Sequence, residues 1–250
     1  MGAYATEGIV LKHSPWREAD RTIVVYTRDR GKISVVARSA RKILSKLAGS
    51  VEPVTLVQMS AVRGKRNDTL TGAEVLYSFP ALRRSVPAMA MAMLIGEVID
   101  RSTFTSQHDA GVFALLDRSM RELESASTQK RADLVVIAWR FVWQFLAAVG
   151  YHPELYNCVE CHEKIRQEKN WFDYQKGGVV CKRCGQPSPD RIAVSPDMVK
   201  IIRWLVATPS TPARLRIPVT LIQSAGSLTN AYLNYTHEHD LDFRPFLKMA

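Results

Sequence analysis

Cys158, Cys161, Cys181 and Cys184 are the four cysteines of this 250-residue chain, and they form two C-x-x-C pairs separated by nineteen residues. This spacing is typical of a four-thiolate zinc site. Each pair can form a knuckle that presents two thiolates on one side, and the intervening chain returns the second pair to complete a tetrahedron. Because four thiolates leave no open coordination position, the pattern predicts one structural Zn²⁺ per chain rather than a catalytic metal.

Other uses of these cysteines remain open. They could pair as disulfides, although residues 1–20 lack the apolar segment of a secretory signal peptide, and we therefore expect a reducing compartment. One C-x-x-C pair could be a thiol redox motif, but such a motif needs a strand-to-helix setting and leaves the second pair without a role. His162 follows Cys161 and could replace a ligand; the simpler expectation is a solvated knuckle residue.

The hydrophobic content predicts a globular protein with a sizeable core, since 46% of the residues are apolar. The longest apolar run, residues 134–149, is interrupted by Arg140 and Gln144. It is shorter than the roughly 18 to 20 apolar residues that a membrane span needs. We interpret this run as a buried core helix and expect a soluble, cytoplasmic protein with no membrane partner.

The charge distribution indicates a polyanionic partner. The net charge is +10, and residues 1–80 alone hold thirteen Lys and Arg against seven Asp and Glu, a net of +6. Residues 151–190, which contain the cysteines, hold six of each sign and are neutral. A basic excess concentrated in one segment is the electrostatic signature of nucleic-acid binding. We therefore expect the N-terminal segment to contact the polyanion.

The first eighty residues read as a small β-domain. Short segments rich in Val, Ile and Thr are separated by turn signals, and they predict strands at 7–11, 22–27, 32–37, 51–62 and 69–76. Five strands in about eighty residues suit a closed barrel of the OB type. An SH3-like barrel is the alternative. We assign residues 1–80 to an OB-fold DNA-binding domain.

Three basic clusters lie within this predicted domain. Residues 38–48, placed on a helix, put Ala40, Ile43, Leu44 and Leu47 on one arc and form a cationic stripe opposite, made of Arg38, Arg41, Lys42 and Lys46. A hairpin tip carries Arg63, Lys65 and Arg66, and another turn carries Arg28, Arg30 and Lys32. The clusters could line one groove that follows a phosphate backbone.

The aromatic residues of the same domain are few, namely Tyr4, Trp16, Tyr26, Tyr77 and Phe79. Most of them lie in strand patterns, and we expect each to pack in the core. The predicted binding is therefore dominated by phosphate contacts and weak in sequence preference.

The periodicity becomes helical from Ala81 onward, and we assign residues 81–250 to a helical domain, so that the fold class is α+β. Helices are predicted at 86–104, 110–124, 131–149, from Ser195 onward, and at about 218–235. Ser195 and Pro196 suit an N-cap and the first helical position. The zinc-binding segment, about 151–190, contains a hairpin signal at Gly177 and Gly178. It is predicted to be an insertion in the helical domain.

The order of several short motifs resembles the RecO family of bacterial DNA repair proteins over most of the chain. The motifs are Gly8 to Leu11, Glu18 to Asp20, Gly31 with Lys32, Val36 to Arg38, Ala40 to Lys42, Glu52 with Pro53, 141–146, 150–155, Gly177 to Val179, and the two cysteine pairs. Two positions depart from the family, which commonly has glycine in place of His162 and of Ser39. The first departure loosens the expected knuckle turn, and the second favours the predicted helix.

The resemblance implies an N-terminal OB domain followed by a helical domain with a zinc motif. It also implies a nucleoid-associated recombination mediator of the RecFOR pathway without enzymatic turnover. Such proteins bind single- and double-stranded DNA, anneal complementary strands, associate with RecR and with the C-terminal tail of single-strand-binding protein, and help to load RecA. The DNA-binding residues implied by matching motifs are Lys32, Arg38, Arg41 and Lys42. Charge geometry adds Lys46, Arg63, Lys65 and Arg66.

The tail of single-strand-binding protein is acidic and ends in apolar residues, so it needs a hydrophobic pocket with a basic rim. Arg121, Arg140 and Arg203 are candidates for that rim, and an ordinary salt-bridge role is the alternative for each.

Two other function classes make different demands on the sequence. A sequence-specific zinc regulator would read bases from a helix beside the metal, and the neutral charge of residues 151–190 argues against it. An enzyme would need a recognisable catalytic motif. The sequence contains neither H-E-x-x-H nor a phosphate-binding G-x-x-x-x-G-K-[ST], so no catalytic residue is assigned.

Overall fold

The computed structural model describes residues 2–42, 45, 47–105, 107–210, 217–237, 241–243 and 246. The described chain divides into two compact units, one formed by residues up to Gln129 together with Phe246, the other beginning at Lys130. The helices between residues 80 and 125 therefore belong to the same compact unit as the N-terminal strands. The assignment of residues 1–80 and 81–250 to separate domains stays a prediction.

The N-terminal strands form a closed barrel, as predicted. The strands are β1 (Ala3–Trp16), β2 (Asp20–Thr27), β3 (Gly31–Ala37), β4 (Leu56–Val62) and β5 (Asp68–Tyr77). Their order around the barrel is β1-β2-β3-β5-β4, and β3 pairs with β5 in parallel while the other pairs are antiparallel. This is a five-stranded OB-fold barrel.

The strand that closes the barrel is β1. Its first half pairs with β4, from Ala3 opposite Val62, and its second half pairs with β2, ending at Trp16 opposite Asp20. The register shifts between Val10 and Lys12, which is the irregularity expected where a strand bends from one partner to the next. Apolar side chains alternate inward and fill the barrel, among them Val10, Ile23, Val25, Val35 and Met59.

The predicted helix over 38–48 is wrong for the described residues of that segment. Residues 38–42 form turns, and a single 3₁₀ turn follows at Gly49–Val51. The backbone N–H of Ser39 donates to Asp20 Oδ1 at 2.8 Å, and the N–H of Arg41 donates to Ala19 O at 3.0 Å. Lys42 N, which would be the first donor of the helical ladder, donates to Ser39 O at 3.1 Å and so makes a turn in place of the α-helical bond to Arg38 O. Ile43, Leu44 and Lys46 lie outside the described residues.

Ser39 has a φ of 55°, in the left-handed region. A glycine, which the resembling family often has there, adopts this conformation at no steric cost. The serine therefore marks a turn, and it does not favour a helix as its sequence context suggested.

Between residues 80 and 125 the first unit contains three helices: α1 (Pro80–Arg84), α2 (Val86–Ser102) and α3 (Ala110–Ser125). The helices predicted at 86–104 and 110–124 are thus confirmed. Ser85 and Asp109 are the N-caps of the two longer helices, since their side chains accept hydrogen bonds from N–H groups of the first turn.

The second unit combines three helices with a small sheet. Its elements are α4 (Arg131–Ala148), β6 (Asn170–Asp173), β7 (Gly178–Val180), β8 (Arg191–Val194), α5 (Pro196–Ala207) and α6 (Val219–His237). The sheet order is β7-β6-β8, and Gly177, with a φ of 63°, lies in the turn that joins β6 to β7. The predicted hairpin is confirmed. So is the predicted cap of α5, because Ser195 Oγ accepts from Met198 N at 3.2 Å.

An aromatic cluster joins the small sheet to the helices. Trp143 of α4 stacks on Tyr232 of α6 with centroids 5.6 Å apart, and Phe172 of β6 meets Tyr232 edge-on at 5.1 Å. Trp143 Nε1 also donates to Thr229 Oγ1 at 2.8 Å, so the buried indole N–H is satisfied. The sheet is therefore part of one core with helices that precede and follow it in sequence.

The apolar run predicted to be a core helix is α4, and its four large aromatic residues are buried. Among the described residues, no helix has both the length and the hydrophobicity to span a bilayer.

A substitution at Gly31 tests the turn between β2 and β3. Its φ is 64°, and a Cβ there would lie 1.9 Å from Gln107 O. We expect Gly31→Ala to lower the free energy of unfolding by at least about 1–2 kcal/mol, because an L side chain is strained in this conformation even before the clash is counted. The measurement is urea denaturation monitored by circular dichroism.

Gly72→Ala is the matched control, since a Cβ at this strand position meets nothing within 4 Å. It should raise the free energy of unfolding by up to about 1 kcal/mol, because alanine reduces the conformational entropy of the unfolded chain. Equal denaturation midpoints for the two variants would contradict the expected role of Gly31.

Candidate metal centre and nucleic-acid groove

The four cysteines converge on one point. His162 N donates to Cys158 O at 2.9 Å in the first knuckle, and Gly185 N donates to Cys181 O at 2.8 Å in the second. The four Sγ atoms lie within 4.8 Å of one another, and those of Cys161 and Cys181 are 3.8 Å apart. A tetrahedron with Zn–S bonds of about 2.3 Å has sulfurs about 3.8 Å apart. The cluster therefore has the dimensions of a tetrahedral thiolate site.

The protonation of the cluster also suits a cation. Burial raises the pKa of the Cys158 thiol, but backbone N–H groups of Cys161, Cys181 and Glu160 outweigh it and lower this pKa to about 7. The neighbouring thiols of Cys181 and Cys161 raise the pKa of Cys184 to about 12. Backbone N–H groups thus favour the thiolate of Cys158, whereas the neighbouring sulfurs disfavour the thiolate of Cys184.

The arrangement bears on the other uses of the cysteines. All four thiols are free, and the two pairs form one cluster, so neither pair is left without a role. His162 is exposed and outside the sulfur cluster, as expected of a solvated knuckle residue. Its φ of 61° lies in the left-handed region, so the knuckle turn forms although the residue is not glycine.

A chain of ion pairs fastens the first knuckle to the small sheet. Arg191 Nε donates to Asp173 Oδ2 at 2.8 Å, and Arg191 Nη2 donates to Glu160 Oε1 at 2.5 Å. Lys176 Nζ donates to the same Glu160 oxygen at 2.9 Å. Glu160 belongs to the first C-x-x-C pair, so these contacts position the thiolates relative to β6 and β8.

A second candidate site is a groove of about 810 Å³ at the barrel. Three chain segments line it: the turn after β1, the exit of β3, and the loop between β4 and β5. Its charged and aromatic lining consists of Trp16, Arg17, Asp20, Arg38, Arg63, Lys65 and Arg66. Five cationic side chains face one carboxylate, which makes the groove an attractive site for phosphates.

Hydrogen bonds hold the groove segments in place. Asp20 binds the backbone N–H of Ser39, which ties the turn after β1 to the exit of β3. Asp68 accepts from Gly64 N at 3.2 Å and from the Tyr4 hydroxyl at 2.7 Å, which fixes the loop between β4 and β5. The acidic groups nearest these loops are thus largely used as backbone anchors, and the cations remain exposed.

The predicted DNA-binding residues separate into groups. Arg38, Arg63, Lys65 and Arg66 line the groove. Arg41 and Lys42 are exposed beside it, and the Arg41 guanidinium donates to Glu18 O at 3.0 Å. Lys46 lies outside the described residues.

Lys32 lies in a different environment. Its ammonium contacts Asp100 O and lies 3.6 Å from Asp100 Oδ1, and its side chain is 15% exposed. This ion pair commits the lysine to packing within the first unit. The turn cluster around it is similarly engaged, because Arg28 binds Glu7 at 2.7 Å and Arg30 stacks over Tyr4.

Trp16 and Arg17 were not predicted to belong to the site. Trp16 was expected in the core, and it is instead 41% exposed in the groove wall; Tyr77 is also exposed, whereas Tyr26 and Phe79 are buried as expected. The signal available in the sequence was position, since both residues directly precede the Glu18 to Asp20 turn between two strands.

The three arginines proposed for a partner-tail pocket have different environments. Arg140 is 1% exposed and therefore cannot form the rim of an open pocket, which corrects that prediction. Arg121 pairs with Asp117 at 3.0 Å and lies over Tyr77, within the first unit. Arg203 donates to Leu155 O and stacks on exposed Tyr156 at 4.4 Å, within the second. No single pocket is indicated by these contacts.

Comparison with known protein families gives two consecutive matches. Residues 1–79 match the family model described as Recombination protein O N terminal, and residues 83–244 match Recombination protein O C terminal. Together they span nearly the whole chain.

Individual proteins show the same similarity. A DNA repair protein RecO from Dehalococcoides mccartyi is 29% identical over 238 residues, which cover 95% of this chain and 92% of that protein. One from Desulforudis audaxviator is 34% identical over 208 residues, covering 82% and 81%. One from Bacillus velezensis is 29% identical over 197 residues, covering 79% and 74%.

Arg191 provides a test of how the knuckle is fixed. We expect Arg191→Met to lower the free energy of unfolding by about 3 kcal/mol, because it leaves Asp173, whose side chain is 5% exposed, as an unpaired buried charge. Lys200→Met is the matched control, since its ion pair with Asp197 is mostly exposed and should contribute less than about 1 kcal/mol. Thermal denaturation of both variants at equal metal content makes the comparison; equal losses would contradict it.

Proposed function

The chain belongs to the RecO family of DNA repair proteins, and from this premise we propose that it is a recombination mediator that binds single- and double-stranded DNA and anneals complementary strands. The observation that carries the proposal is the groove at the barrel, where Arg17, Arg38, Arg63, Lys65 and Arg66 come together from three chain segments. The groove includes four of the residues that were assigned to DNA from the sequence.

The groove suits the phosphate backbone more than the base edges. Its cations are exposed side chains on turns and loops, and among the described residues no helix lines it, as a helix that reads bases in a major groove would. Binding through phosphates is sequence-tolerant and salt-dependent. It should therefore be equal across unrelated oligonucleotides, which separates this proposal from a sequence-specific regulator.

Annealing follows from charge neutralisation. Two complementary strands repel each other through their phosphates, and a cationic surface that neutralises phosphates lowers this repulsion. The base edges must stay accessible for pairing to occur. A groove that holds the backbone meets both requirements, and it needs no catalytic group, in accord with a mediator that does not act as an enzyme.

We further propose that the thiolate cluster holds one structural Zn²⁺ through Cys158, Cys161, Cys181 and Cys184. A soft tetrahedral four-sulfur site is typical of zinc, and four protein ligands leave no position for a substrate. The ion would supply the positive charge that the cluster needs and would stabilise the small sheet. It would take no part in a reaction.

The partner proposals rest on family membership. We propose association with RecR, contact with the C-terminal tail of single-strand-binding protein, and assistance in loading RecA on coated single strands. Arg121 and Arg203 remain the candidate rim residues for the acidic tail. A strand-annealing assay on coated single strands, with and without the partner proteins, tests this group of proposals; no stimulation by any partner would contradict it.

The groove assignment is tested by removing two cations. We expect Arg38→Ala with Arg66→Ala to weaken single-strand binding and to make the slope of log affinity against log salt shallower by about 1.4, since each phosphate contact contributes about 0.7. Fluorescence anisotropy at several salt concentrations measures both quantities. Arg41→Ala with Lys42→Ala tests the adjoining loop in the same assay.

Arg84→Ala with Arg101→Ala is the control, because it removes the same charge from α1 and α2, outside the groove lining. Its slope should stay close to that of the parent protein. The groove assignment fails if both double variants change the slope equally or if neither changes it.

The zinc assignment is tested by elemental analysis and chelation. We expect about one zinc per chain, and chelation should remove hydrogen-exchange protection from the sheet of β6, β7 and β8, because metal binding is coupled to folding. The barrel should keep its protection, which serves as the internal control. Purified protein without zinc and with its thiols as disulfides would overturn the assignment.

A further inference from the structure

Trp16 differs from the other four tryptophans in its exposure. Trp139 and Trp143 are buried, and Trp171 and Trp204 are partly buried, whereas Trp16 is 41% exposed. An exposed indole costs hydrophobic free energy that burial would recover. Trp16 lies in the wall of the cationic groove, where a ligand bound in the groove would contact the exposed ring.

Among the residues that the structure describes, the indole has no stacking partner. Among the described residues, no aromatic ring and no guanidinium lies against the Trp16 ring within stacking distance. Other exposed rings of the chain are covered in this way, for example Tyr156 by Arg203 and Tyr77 by Arg121. The π-face of Trp16 is therefore available to a ligand.

The backbone that carries this indole is anchored. Trp16 pairs with Asp20 at the end of the β1–β2 hairpin, and the Asp20 carboxylate binds Ser39 N. A tryptophan has only two side-chain torsions, so an anchored backbone leaves little conformational entropy to lose on binding. The indole is thus presented to the groove at low cost.

The ligand chemistry follows from the combination of cations and one aromatic face. Duplex DNA keeps its bases stacked inside, whereas a single strand exposes base faces together with its phosphates. Grooves that combine cations with an aromatic platform are typical of proteins that bind single strands. The volume of about 810 Å³ lies within the range of roughly 300–1,000 Å³ that holds small-molecule ligands, which is room for one nucleotide.

We propose that Trp16 is a base-stacking subsite that holds one unpaired base of single-stranded DNA, while Arg38, Arg63 and Arg66 hold the adjacent phosphates. The inference rests on the proposed DNA-binding function of the groove and adds to it a preference for single strands. Because one indole stacks one base, the neighbouring bases stay free to pair. The subsite therefore positions a strand without blocking annealing.

The test uses Trp16→Ala and Trp16→Phe with probes that separate bases from phosphates. The probes are oligothymidylate, an abasic oligonucleotide with the same number of phosphates, and a duplex of the same length. We expect Trp16→Ala to weaken oligothymidylate binding about 5- to 100-fold, to leave binding of the other two probes within about twofold, and to keep the salt slope. Trp16→Phe should retain most of the affinity.

Intrinsic fluorescence gives a second readout. Oligothymidylate should quench the tryptophan emission of the parent protein, and the abasic probe should not. The quenching should disappear in Trp16→Phe, which removes the indole but keeps an aromatic ring and most of the binding. Quenching of unchanged size in Trp16→Phe would assign the signal to another tryptophan and overturn the subsite.

Two affinity outcomes would also overturn the proposal. If Trp16→Ala weakens the binding of all three probes equally, the indole has a packing role. If it weakens the binding of none of them, the indole does not contact the DNA. Failure of the groove itself is recognised separately. If the double variant Arg38→Ala with Arg66→Ala binds all three probes like the parent protein, DNA binds elsewhere, and both the groove assignment and the subsite are contradicted.

Discussion

Closure of the barrel depends on β1, which pairs with two strands at once. Its first residues lie beside the end of β4, and its last residue, Trp16, lies opposite the start of β2. The shift in register after Val10 allows one strand to serve both partners. The turn after β1 and the loop after Val62 meet through β3, because Ala37 pairs with Arg21 of β2 and Val36 pairs with Thr69 of β5, so the groove between them is a product of strand register. A cationic site is thereby assembled from residues about fifty positions apart in sequence.

The regular elements could be predicted because their signals are local. Short segments rich in Val, Ile and Thr between turn signals indicated the five strands, and caps such as Ser195 indicated where helices begin. The segment after Arg38 could not be predicted in the same way. Its amphipathic arc suits a helix, but Ser39, whose N–H is bound by Asp20, adopts a left-handed turn conformation. Partners of this kind come from another loop, and no periodicity within the segment reveals them.

The candidate sites also divide into features that local sequence predicts and features that depend on distant residues. The cysteine cluster was predictable because each knuckle is defined by four consecutive residues, and the spacing of the cysteines indicates which residues are the ligands. Charge alone could not distinguish Arg38, which is exposed in the groove, from Lys32, whose ammonium is bound by Asp100 sixty-eight residues away. Trp16 was placed in the core together with the other aromatic residues of the N-terminal segment, most of which lie in strand patterns. Its exposure depends on where the strand leaves the barrel.

The aromatic cluster of Trp143, Phe172 and Tyr232 has a consequence for synthesis of the chain on the ribosome. All strands of the barrel are complete by Tyr77, but Trp143 is not covered until Tyr232 has been added, eighty-nine residues later. At about 5–20 residues per second, this interval lasts roughly 5–20 s. The cysteines are all synthesised within it, before α6 is complete. A metal ion captured at that stage would hold Phe172 in its sheet, so that Phe172 already covers one side of Trp143 before α6 is synthesised and packs on both residues.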